Sequence, residues 1–426
     1  MKWGAILLLS GVLAFSAQGY PLDAGEQTGM ERLIGYRLIQ QGQSPGKKLF
    51  PGALLSSSQV KLHLTGYQQL ELNNVDSVLT DEILAFLGEE KDLYSFSILD
   101  VSLPDRPSFA EHQGVLNFNP GSLGKLLIAV ALFQALADRY PDNIDARQQI
   151  LQQRRIIADQ FIHSDYHKVP FWDGDQKRMD YRPIQIGDAG NLYTWLDWMF
   201  SPSSNAAAAM VLREYLLLVH FQQDYPVEQA IADEFIQNTS RSKLMKLLIK
   251  SLHEPMRRNG FDPDQLRQGG FFTRRGKQLI PGGSSRGNTR SFLTLLLRIE
   301  QGRLIDPFSS LEIKRLLYMT EKRIRYASHP ALKHAAVYFK SGSLYSCQPE
   351  EGFSCKKYMG NKKNLLNSVA IVEEGEGDSR LHYMVVVTSN VLRVNSAVAH
   401  QTLAMRIHRL LQAKHRKRLR LQDSEG

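Results

Sequence analysis

The spacing of apolar residues changes twice along this chain, and the changes predict where strands and helices lie. Residues 93–103 alternate between polar and apolar positions, and after a turn at 104–107 a return strand is predicted to reach Phe118. Near the other end, residues 369–372 are predicted to pair with residues 383–388 across an acidic, glycine-containing turn. The two ends of the chain therefore predict strands.

Helical periodicity dominates the middle of the chain. Apolar faces recur at α-helical spacing in the segments 124–138, 148–162, 190–200, 205–221, 241–252 and 289–299. Further helices are predicted at 80–87 and 396–411. We therefore expect an α/β (α+β) fold, in which an antiparallel sheet forms from the N- and C-terminal segments and a helical lobe is inserted between them.

Residues 1–19 have the layout of a secretory signal peptide, with a basic residue, short apolar runs and small residues at the end. The apolar part is too short to span a bilayer, so we expect cleavage after Gly19 and an exported protein, periplasmic or secreted. The alternative is an uncleaved anchor. Residues 20–90 are interpreted as an N-terminal leader, residues 91–415 as the main domain, and residues 416–426 as a basic and polar tail.

Positive charge is concentrated near the C-terminus. The formal net charge is +9, and basic residues lie close together at Lys414, Arg416, Lys417, Arg418 and Arg420. Such a run is typical of the solvated end of a helix, and the alternative is weak contact with an anionic envelope surface. A nucleic-acid partner is not expected for an exported protein.

The chain has two cysteines, Cys347 and Cys355, which are close in sequence. An oxidising compartment favours a disulfide between them, and the alternative is two free thiols. Two thiolates without a nearby histidine make an incomplete zinc set, so no metal site is predicted there. Because the loop follows Lys340 directly, we hypothesise that it narrows access to a neighbouring cleft.

Three short motifs carry the candidate chemistry, and they are Ser122-x-x-Lys125, Ser203-Ser204-Asn205 and Lys340-Ser341-Gly342. The first pattern also begins at four other serines. However, only Ser122 both follows a predicted strand with a Pro-Gly turn and opens an apolar helix. The second and third motifs occur once each, so the combination in this order is more specific than any single motif.

These residues can activate an alcohol. A serine hydroxyl is a weak nucleophile until a base takes its proton, and Lys125 lies one helical turn beyond Ser122 on the same face. The lysine must be neutral to act as a base, which burial and a neighbouring cation such as Lys340 favour. The backbone N–H groups of Ser122 and Ser343 would then stabilise a developing oxyanion.

The second and third motifs supply supporting groups. Ser203 is predicted to cap the following helix and to pass a proton to the leaving nitrogen, and Asn205 would offer its amide to a substrate chain. Gly342 is expected because a strand that approaches a substrate backbone closely has no room for a side chain.

In this order, the motifs resemble those of the penicillin-recognising serine hydrolases, which include class A β-lactamases and D-Ala-D-Ala peptidases. The resemblance extends to residues 118–125, 186–205 and 288–304, within a span that runs from residue 93 to residue 411. It implies an acyl-enzyme on Ser122, and it requires no metal or cofactor. The catalytic residues that it implies are Ser122, Lys125, Ser203 and Lys340. The substrate-binding residues would be Asn205, Ser341, Gly342 and Ser343.

The chain departs from the class A pattern at several positions. Ser204 replaces the usual aspartate, and Ser341 stands where threonine is common. The glutamate that deacylates class A β-lactamases has no clear match, and the candidates for this role are Asp262, Asp264 and Glu234. We expect acylation of Ser122, whereas the rate of deacylation stays open.

We therefore interpret the chain as an exported serine hydrolase that acts on β-lactams or on D-Ala-type amides of cell-wall peptides. The alternative is a catalytically inactive protein of the same fold that binds peptidoglycan fragments, although the intact motifs argue against it. A metal site at His163 and His167 is not favoured, because no third ligand is compelling. Trp172 is interpreted as core packing, and the alternative is an aromatic rim over the cleft.

Overall fold

The computed structural model describes residues 22–318 and 328–425. The predicted signal peptide at residues 1–19 lies outside these described residues. Within them, the chain forms a five-stranded antiparallel sheet with a hydrophobic core on each face. This arrangement confirms the expected α/β (α+β) class, with an antiparallel sheet and a helical lobe.

The central sheet combines strands from both ends of the chain. In chain order, the strands of the described residues are β1 (Tyr94–Asp100), β2 (Ser108–His112), β3 (Arg155–Ile157), β4 (Lys168–Asp173), β5 (Arg178–Pro183), β6 (Ala189–Asn191), β7 (Ala336–Ser346), β8 (Lys363–Glu374) and β9 (Leu381–Ser389). The order across the sheet is β2-β1-β9-β8-β7, which makes β7 an edge strand. Strands β3 and β6 form a separate pair, as do β4 and β5.

The helices account for most of the remaining chain. In chain order, those of the described residues are α1 (Gly25–Thr28), α2 (Glu31–Gln41), α3 (Ser77–Leu84), α4 (Gly124–Arg139), α5 (Ile144–Gln153), α6 (Leu192–Phe200), α7 (Asn205–Phe221), α8 (Gln229–Asn238), α9 (Arg241–Arg258), α10 (Arg274–Leu279), α11 (Thr289–Glu300), α12 (Pro307–Tyr318) and α13 (Ser396–Glu425). The predicted helix at 205–221 is confirmed at both ends, because α7 has the same bounds.

The predicted pairing near the C-terminus is confirmed, since Val369 lies opposite Val386 and Val372 lies opposite Tyr383. Alternation along these strands separates two cores. Val369 and Ile371 pack toward the helical lobe, whereas Val372 faces the core that α13 covers. The helical lobe therefore meets the sheet on one face, and the C-terminal helix closes the other.

Two of the predicted elements extend too far. Strand β2 ends at His112, because Gln113 turns the chain with a left-handed φ of 51°, and the predicted continuation to Phe118 is wrong. The apolar residues Val115 and Leu116 of this loop are instead exposed.

The predicted helix at 148–162 is also wrong in its second half. Helix α5 ends at Gln153, Arg154 has an extended backbone, and β3 follows and pairs with β6. Branched Ile156 and Ile157 favour a strand at this point.

Helix α4 forms the centre of the helical lobe. The segment Gly121–Arg139 is long and apolar enough to cross a membrane by composition, but 72% of it is buried inside the protein. It is therefore a core helix, against which α7, α9 and α12 pack.

Residues 22–64 share the core of the helical lobe. Leu33, Tyr36 and Ile39 of α2 are buried in it, and Arg32 forms a buried ion pair with Asp197 of α6. The segment that precedes the main domain therefore packs as part of the lobe.

The last third of the chain carries a disulfide and the long helix α13. The predicted disulfide is present between Cys347 and Cys355, whose Cα atoms are 6.3 Å apart. The basic run lies within α13, where Lys414 pairs with Glu82 and Arg418 pairs with the buried Asp100. Part of this charge is therefore bound to the protein itself.

Candidate active site

Ser122 lies in a single 3-10 turn that leads directly into α4. The turn spans Gly121–Leu123, and Gly121 has a left-handed φ of 53°, which glycine adopts without strain. The Asn119 side chain accepts a hydrogen bond from the Gly121 N–H at 3.0 Å. The Pro-Gly turn and the start of the helix thus lie where the sequence predicts them.

Lys125 is fully buried beneath the serine, on the same face of the helix. Its Nζ donates to the Ser122 Oγ at 3.1 Å and to the Asn205 Oδ1 at 2.8 Å. It also donates to the Ser203 carbonyl at 2.7 Å and lies 4.9 Å from the centre of the Phe272 ring. The amine is thus within proton-transfer distance of the hydroxyl.

Ser203 has an unusual backbone conformation for a residue with a side chain. Its φ of 63° is left-handed, a conformation that concentrates at functional sites. The Ser203 Oγ accepts hydrogen bonds from the Lys340 Nζ at 2.7 Å and from the Lys125 Nζ at 3.3 Å. One hydroxyl therefore bridges the two amines.

The predicted helix cap is displaced by one residue. Ser204, and not Ser203, is the N-cap of α7, since its Oγ accepts from the Ala207 N–H at 3.1 Å. Ser203 cannot cap the helix because it is already turned toward the two lysines. The cap fixes the start of α7, and Asn205 is the first residue of that helix.

A carboxylate outside the motif holds this turn in place. The Asp165 Oδ2 accepts from the Ser204 hydroxyl and from the Ala206 N–H, each at 2.8 Å, and its Oδ1 lies 2.5 Å from the His167 Nδ1. Burial alone would raise the pKa of Asp165, but the hydrogen bonds from His167, Ala206 and Ser204 hold it below its usual range. This contact joins residues that are 39 positions apart, and no local sequence pattern indicates it.

The edge strand β7 brings Lys340, Ser341, Gly342 and Ser343 to the same place. Lys340 is buried, and the two serines line the cleft together with Ser122, Ser203 and Asn205. A Cβ on Gly342 would lie 2.3 Å from the Pro120 carbonyl oxygen and 2.8 Å from the Ser122 nitrogen. Glycine is therefore required here by the close approach of β7 to the Ser122 turn, and the predicted contact of Gly342 with a substrate backbone stays a prediction.

A second long-range contact fixes the nucleophile turn to the sheet. The Asn367 side chain on β8 donates to the carbonyl oxygens of Asn119 and Pro120 at 3.0 and 3.1 Å, and it accepts from the Thr388 hydroxyl at 2.6 Å. The sequence does not indicate these contacts of Asn367, because within β8 it is one polar position of an alternating strand.

The cleft around Ser122 has a volume of about 770 Å³. The deacylation candidates Asp262, Asp264 and Glu234 do not line it. Asp262 accepts from the Asp264 N–H, Asp264 pairs with Arg267, and Glu234 lies exposed on α8. From the same loop, the buried Gln268 lines the cleft, together with Gly270, Phe271 and Phe272.

The remaining candidates from the sequence are Trp172 and the pair His163 and His167. Trp172 is half-buried and lies against Gly35 of α2, and it does not line the cleft around Ser122. His167 pairs with Asp165 and lines the cleft, whereas His163 does not line it.

A buried acidic cluster, which we call the Lys314 cluster, consists of Glu300, Glu373, His382 and Lys314. The two glutamates and the histidine are close enough together to share a metal ion. However, the Lys314 Nζ forms ion pairs with both carboxylates. The Lys314 ammonium thus occupies the position between the two carboxylates, which makes the cluster an ion-pair network.

No protein-family model matches the chain, and no curated protein matches it in sequence. Among solved structures it is similar to PBP-A, with a TM-score of 0.50 at 14% identity over 82% of this chain and 99% of the other. A point mutant of PBP-A in an acyl-enzyme complex with penicillin G has the same score and identity, over 81% of this chain and 100% of the other. A β-lactamase from Sphaerobacter thermophilus gives a TM-score of 0.47 at 14% identity, over 79% of this chain and 97% of the other. The chain thus has the β-lactamase and penicillin-binding serine hydrolase fold.

Proposed function

We propose that the protein is an exported serine hydrolase that forms an acyl-enzyme on Ser122. Its substrates would be β-lactams or D-Ala-type amides of cell-wall peptides. The observation that supports this most directly is the contact of 3.1 Å between the Ser122 Oγ and the Lys125 Nζ. An activated hydroxyl of this kind serves acyl transfer and has no use in a protein that only binds.

In the proposed acylation, neutral Lys125 accepts the Ser122 proton while the Oγ attacks the substrate carbonyl carbon. The backbone N–H groups of Ser122 and Ser343 stabilise the oxyanion, and one such donor typically contributes about 10²–10³ in rate. Ser203, which is hydrogen-bonded to both amines, passes a proton to the leaving nitrogen as the C–N bond breaks. The proton therefore passes through a single hydroxyl group, that of Ser203, on its way to the leaving nitrogen.

The remaining motif residues would bind the substrate. Lys340 and Ser341 would hold its carboxylate, because an ammonium and a hydroxyl on one strand offer charge-assisted hydrogen bonds. Asn205 would contact the substrate chain, since it begins α7 at the edge of the cleft. Gly342 would act indirectly, by allowing β7 to lie against the Ser122 turn.

We propose that deacylation is slow, as in a peptidase. Among the described residues that line the cleft, none is an aspartate or a glutamate, so none offers a carboxylate to activate water. Gln268 provides an amide, which is not a base at neutral pH. The acyl-enzyme with penicillin G that is recorded for PBP-A makes penicillin a suitable probe for this chain.

Export is proposed on two grounds. The first residues have the layout of a signal peptide, and the bond between Cys347 and Cys355 is of a kind that persists in oxidising compartments. Cell fractionation of the full-length protein, with intact mass of its mature N-terminus, tests this proposal. A protein that is retained uncleaved in the cytoplasm would contradict it.

The central test is covalent labelling. Incubation of the mature protein with fluorescent penicillin, followed by intact mass, should give one stable adduct that Ser122→Ala abolishes. Ser284→Ala is the matched control, because Ser284 lines the same cleft without belonging to a motif. It should be labelled as fast as the wild type.

Two further outcomes of this labelling experiment would favour a different function. Transient labelling with turnover of nitrocefin would favour a β-lactamase over a peptidase. Failure of both fluorescent penicillin and a fluorophosphonate to label Ser122 would overturn the enzymatic proposal, and it would favour an inactive protein that binds peptidoglycan fragments.

A further inference from the structure

The cleft carries more positive charge than the proposed acylation uses. Besides Lys340, its lining includes Lys277 and Lys357, and no acidic residue is among the described residues that form it. The Glu350 carboxylate of the neighbouring disulfide loop is bound by Arg393, whose hydrogen bonds lower the pKa of Glu350. The cleft therefore presents a cationic surface to an incoming substrate.

Lys357 belongs to a firmly held turn beside the disulfide. The backbone of Lys356 bridges to that of Met359, and the bond between Cys347 and Cys355 closes the preceding loop one residue earlier. Tyr358 has a left-handed φ of 65°, and its carbonyl accepts from the Ser396 N–H at 3.0 Å. This strained residue is thus fixed by the start of α13, as expected of a backbone position that serves a site.

The same turn contributes an aromatic surface to the cleft. The Tyr358 ring lies 6.2 Å from the Tyr345 ring of β7 in an edge-to-face arrangement, and the Lys357 Nζ lies 5.2 Å from the centre of the Tyr358 ring. We call Tyr345, Lys357 and Tyr358 the tyrosine wall. A wall of two phenol rings and one ammonium suits an elongated ligand that is planar or apolar along its length and anionic at one point.

Positive charge also comes from the helical lobe, on a separate element. Lys277 lies on α10, whose start is capped by Thr273, and the Thr273 hydroxyl donates to the Phe161 carbonyl at 2.7 Å. Arg275 of the same helix donates to Gln160. Both lobes thus present a lysine to the cleft from a fixed backbone.

We infer that the tyrosine wall selects acyl donors that carry a second anionic group, in addition to the carboxylate that Lys340 and Ser341 would hold. This inference rests on the proposed function, because it names the substrate class of the same site. Lys357 provides the direct contact to the second anionic group, and Lys277 adds to the attractive field across the cleft. Neutral acyl donors of the same shape are disfavoured because they leave this field unused.

A matched pair of probes tests the inference. Benzylpenicillin and carbenicillin differ by one carboxylate on the acyl side chain, and the acylation rate constant of Ser122 with each is read from intact mass. We expect the wild type to prefer carbenicillin by about tenfold, with a preference that shrinks as salt is added. Lys357→Gln should remove most of this preference, and Lys357→Glu should reverse it.

Lys356→Gln is the matched control, because Lys356 adjoins Lys357 in the same exposed turn but does not line the cleft. It should leave the preference unchanged. Equal acylation of both penicillins by the wild type, or equal losses with both in Lys357→Gln, overturns the inference and leaves the proposed function intact. Absence of Ser122 labelling with either penicillin or a fluorophosphonate instead refutes the proposed function.

Discussion

Two of the buried lysines in the described part of the chain, Lys125 and Lys314, have hydrogen-bond partners of opposite kinds. Lys125 and Lys314 both have 0% exposed surface. The hydrogen bonds of Lys125 to Ser122, Ser203 and Asn205 all go to neutral oxygen atoms. Lys314 instead forms ion pairs with two buried carboxylates. Burial alone therefore does not determine what a lysine does.

The Lys314 cluster keeps its charges. Burial by itself would lower the pKa of Lys314, but attraction to Glu300 and Glu373 holds it above its usual value. Burial would likewise raise the pKa of Glu373, and Lys314 holds it below its usual range. Removing the Lys314 proton would leave two carboxylates buried without a cation, so this lysine is a structural cross-link.

Lys125 has no such constraint from the neutral oxygens around it. A neutral amine can still donate to these oxygens, and a second ammonium, that of Lys340, lies one hydroxyl away on the Ser203 Oγ. The comparison thus supports the proposed role of Lys125 as a base, because its hydrogen-bond partners named above are neutral, whereas Lys314 is held by two carboxylates.

The largest effect is expected from Lys125→Met, which removes the proposed base. Acylation of Ser122 by fluorescent penicillin should slow by about 10²–10⁴, the usual contribution of a positioned base. The thermal midpoint should stay close to that of the wild type, because an apolar side chain of similar length replaces the lysine without leaving a charge unpaired. Labelling time courses and thermal unfolding measure the two quantities. A large loss of stability at an unchanged labelling rate would show that the comparison assigns the roles wrongly.

The matching change in the Lys314 cluster, Lys314→Met, should lower the stability of the protein and leave the labelling rate of Ser122 unchanged. It leaves Glu300 and Glu373 buried without their cation, which typically costs about 3–5 kcal/mol in the free energy of unfolding. Denaturant unfolding measures this loss, while the labelling rate of the folded protein should be unaffected. Combining Lys314→Met with Glu300→Gln and Glu373→Gln should recover most of the stability. No recovery in that triple variant would contradict the ion-pair explanation.

A third variant converts one environment into the other. Asn205→Asp keeps the shape of the side chain but places a carboxylate against the Lys125 Nζ, where the amide oxygen now lies at 2.8 Å. An adjacent opposite charge favours the protonated amine, so the rise of the acylation rate with pH should move to higher pH by about 1–3 units. The pH profile of labelling measures the shift.

Asn119→Asp is the control for Asn205→Asp, because Asn119 lines the same cleft and its side chain accepts a hydrogen bond from the Gly121 N–H and not from Lys125. Asn119→Asp adds the same negative charge without a direct contact to Lys125, so it should shift the pH profile of Ser122 labelling much less. Equal shifts in both variants would mean that the general field of the cleft, and not the direct partner, controls Lys125.

The sequence was sufficient to predict the local features of the site, whereas the meeting of Lys125 with Asn205, 80 residues away, was expected only from the resemblance that the three motifs carry. Ser122 and Lys125 share a helical face, and Asn205 begins a helix whose bounds follow from its apolar run. The expected sheet likewise follows from alternation at the two ends of the chain. These features depend on contacts within a few residues, which periodicity records.

The groups that hold the site together could not be predicted in the same way. Asp165 reaches Ser204 across 39 residues, and Asn367 reaches Pro120 across 247. Neither position has a local pattern that names its partner. The left-handed turn at Ser203 is also invisible to propensity, because serine favours helix caps and the adjacent Ser204 takes that role.

The Lys314 cluster also predicts a pH dependence of stability, which is the smallest of these effects. Burial lowers the pKa of His382 from 6.5, and Lys314 and His63 lower it further, while Glu300 and Glu373 oppose this. The unfolded chain binds a proton at His382 below its ordinary pKa, and the folded chain does not. Stability is therefore fully present above about pH 6.5 and declines as the pH falls below it.

His382→Gln should make this decline shallower, because glutamine does not titrate and the remaining network keeps its charges. The slope is measured from the thermal midpoints at pH 7.5 and pH 5.5. These two pH values lie about one unit above and below the ordinary pKa of histidine. His163→Gln is the control, since His163 is exposed and should leave the slope unchanged. An identical slope in the wild type and His382→Gln would mean that the Lys314 cluster accepts a proton without cost. In that case its lysine and its histidine would be as adaptable as the amine beside Ser122, and the contrast between the two buried lysines would fail.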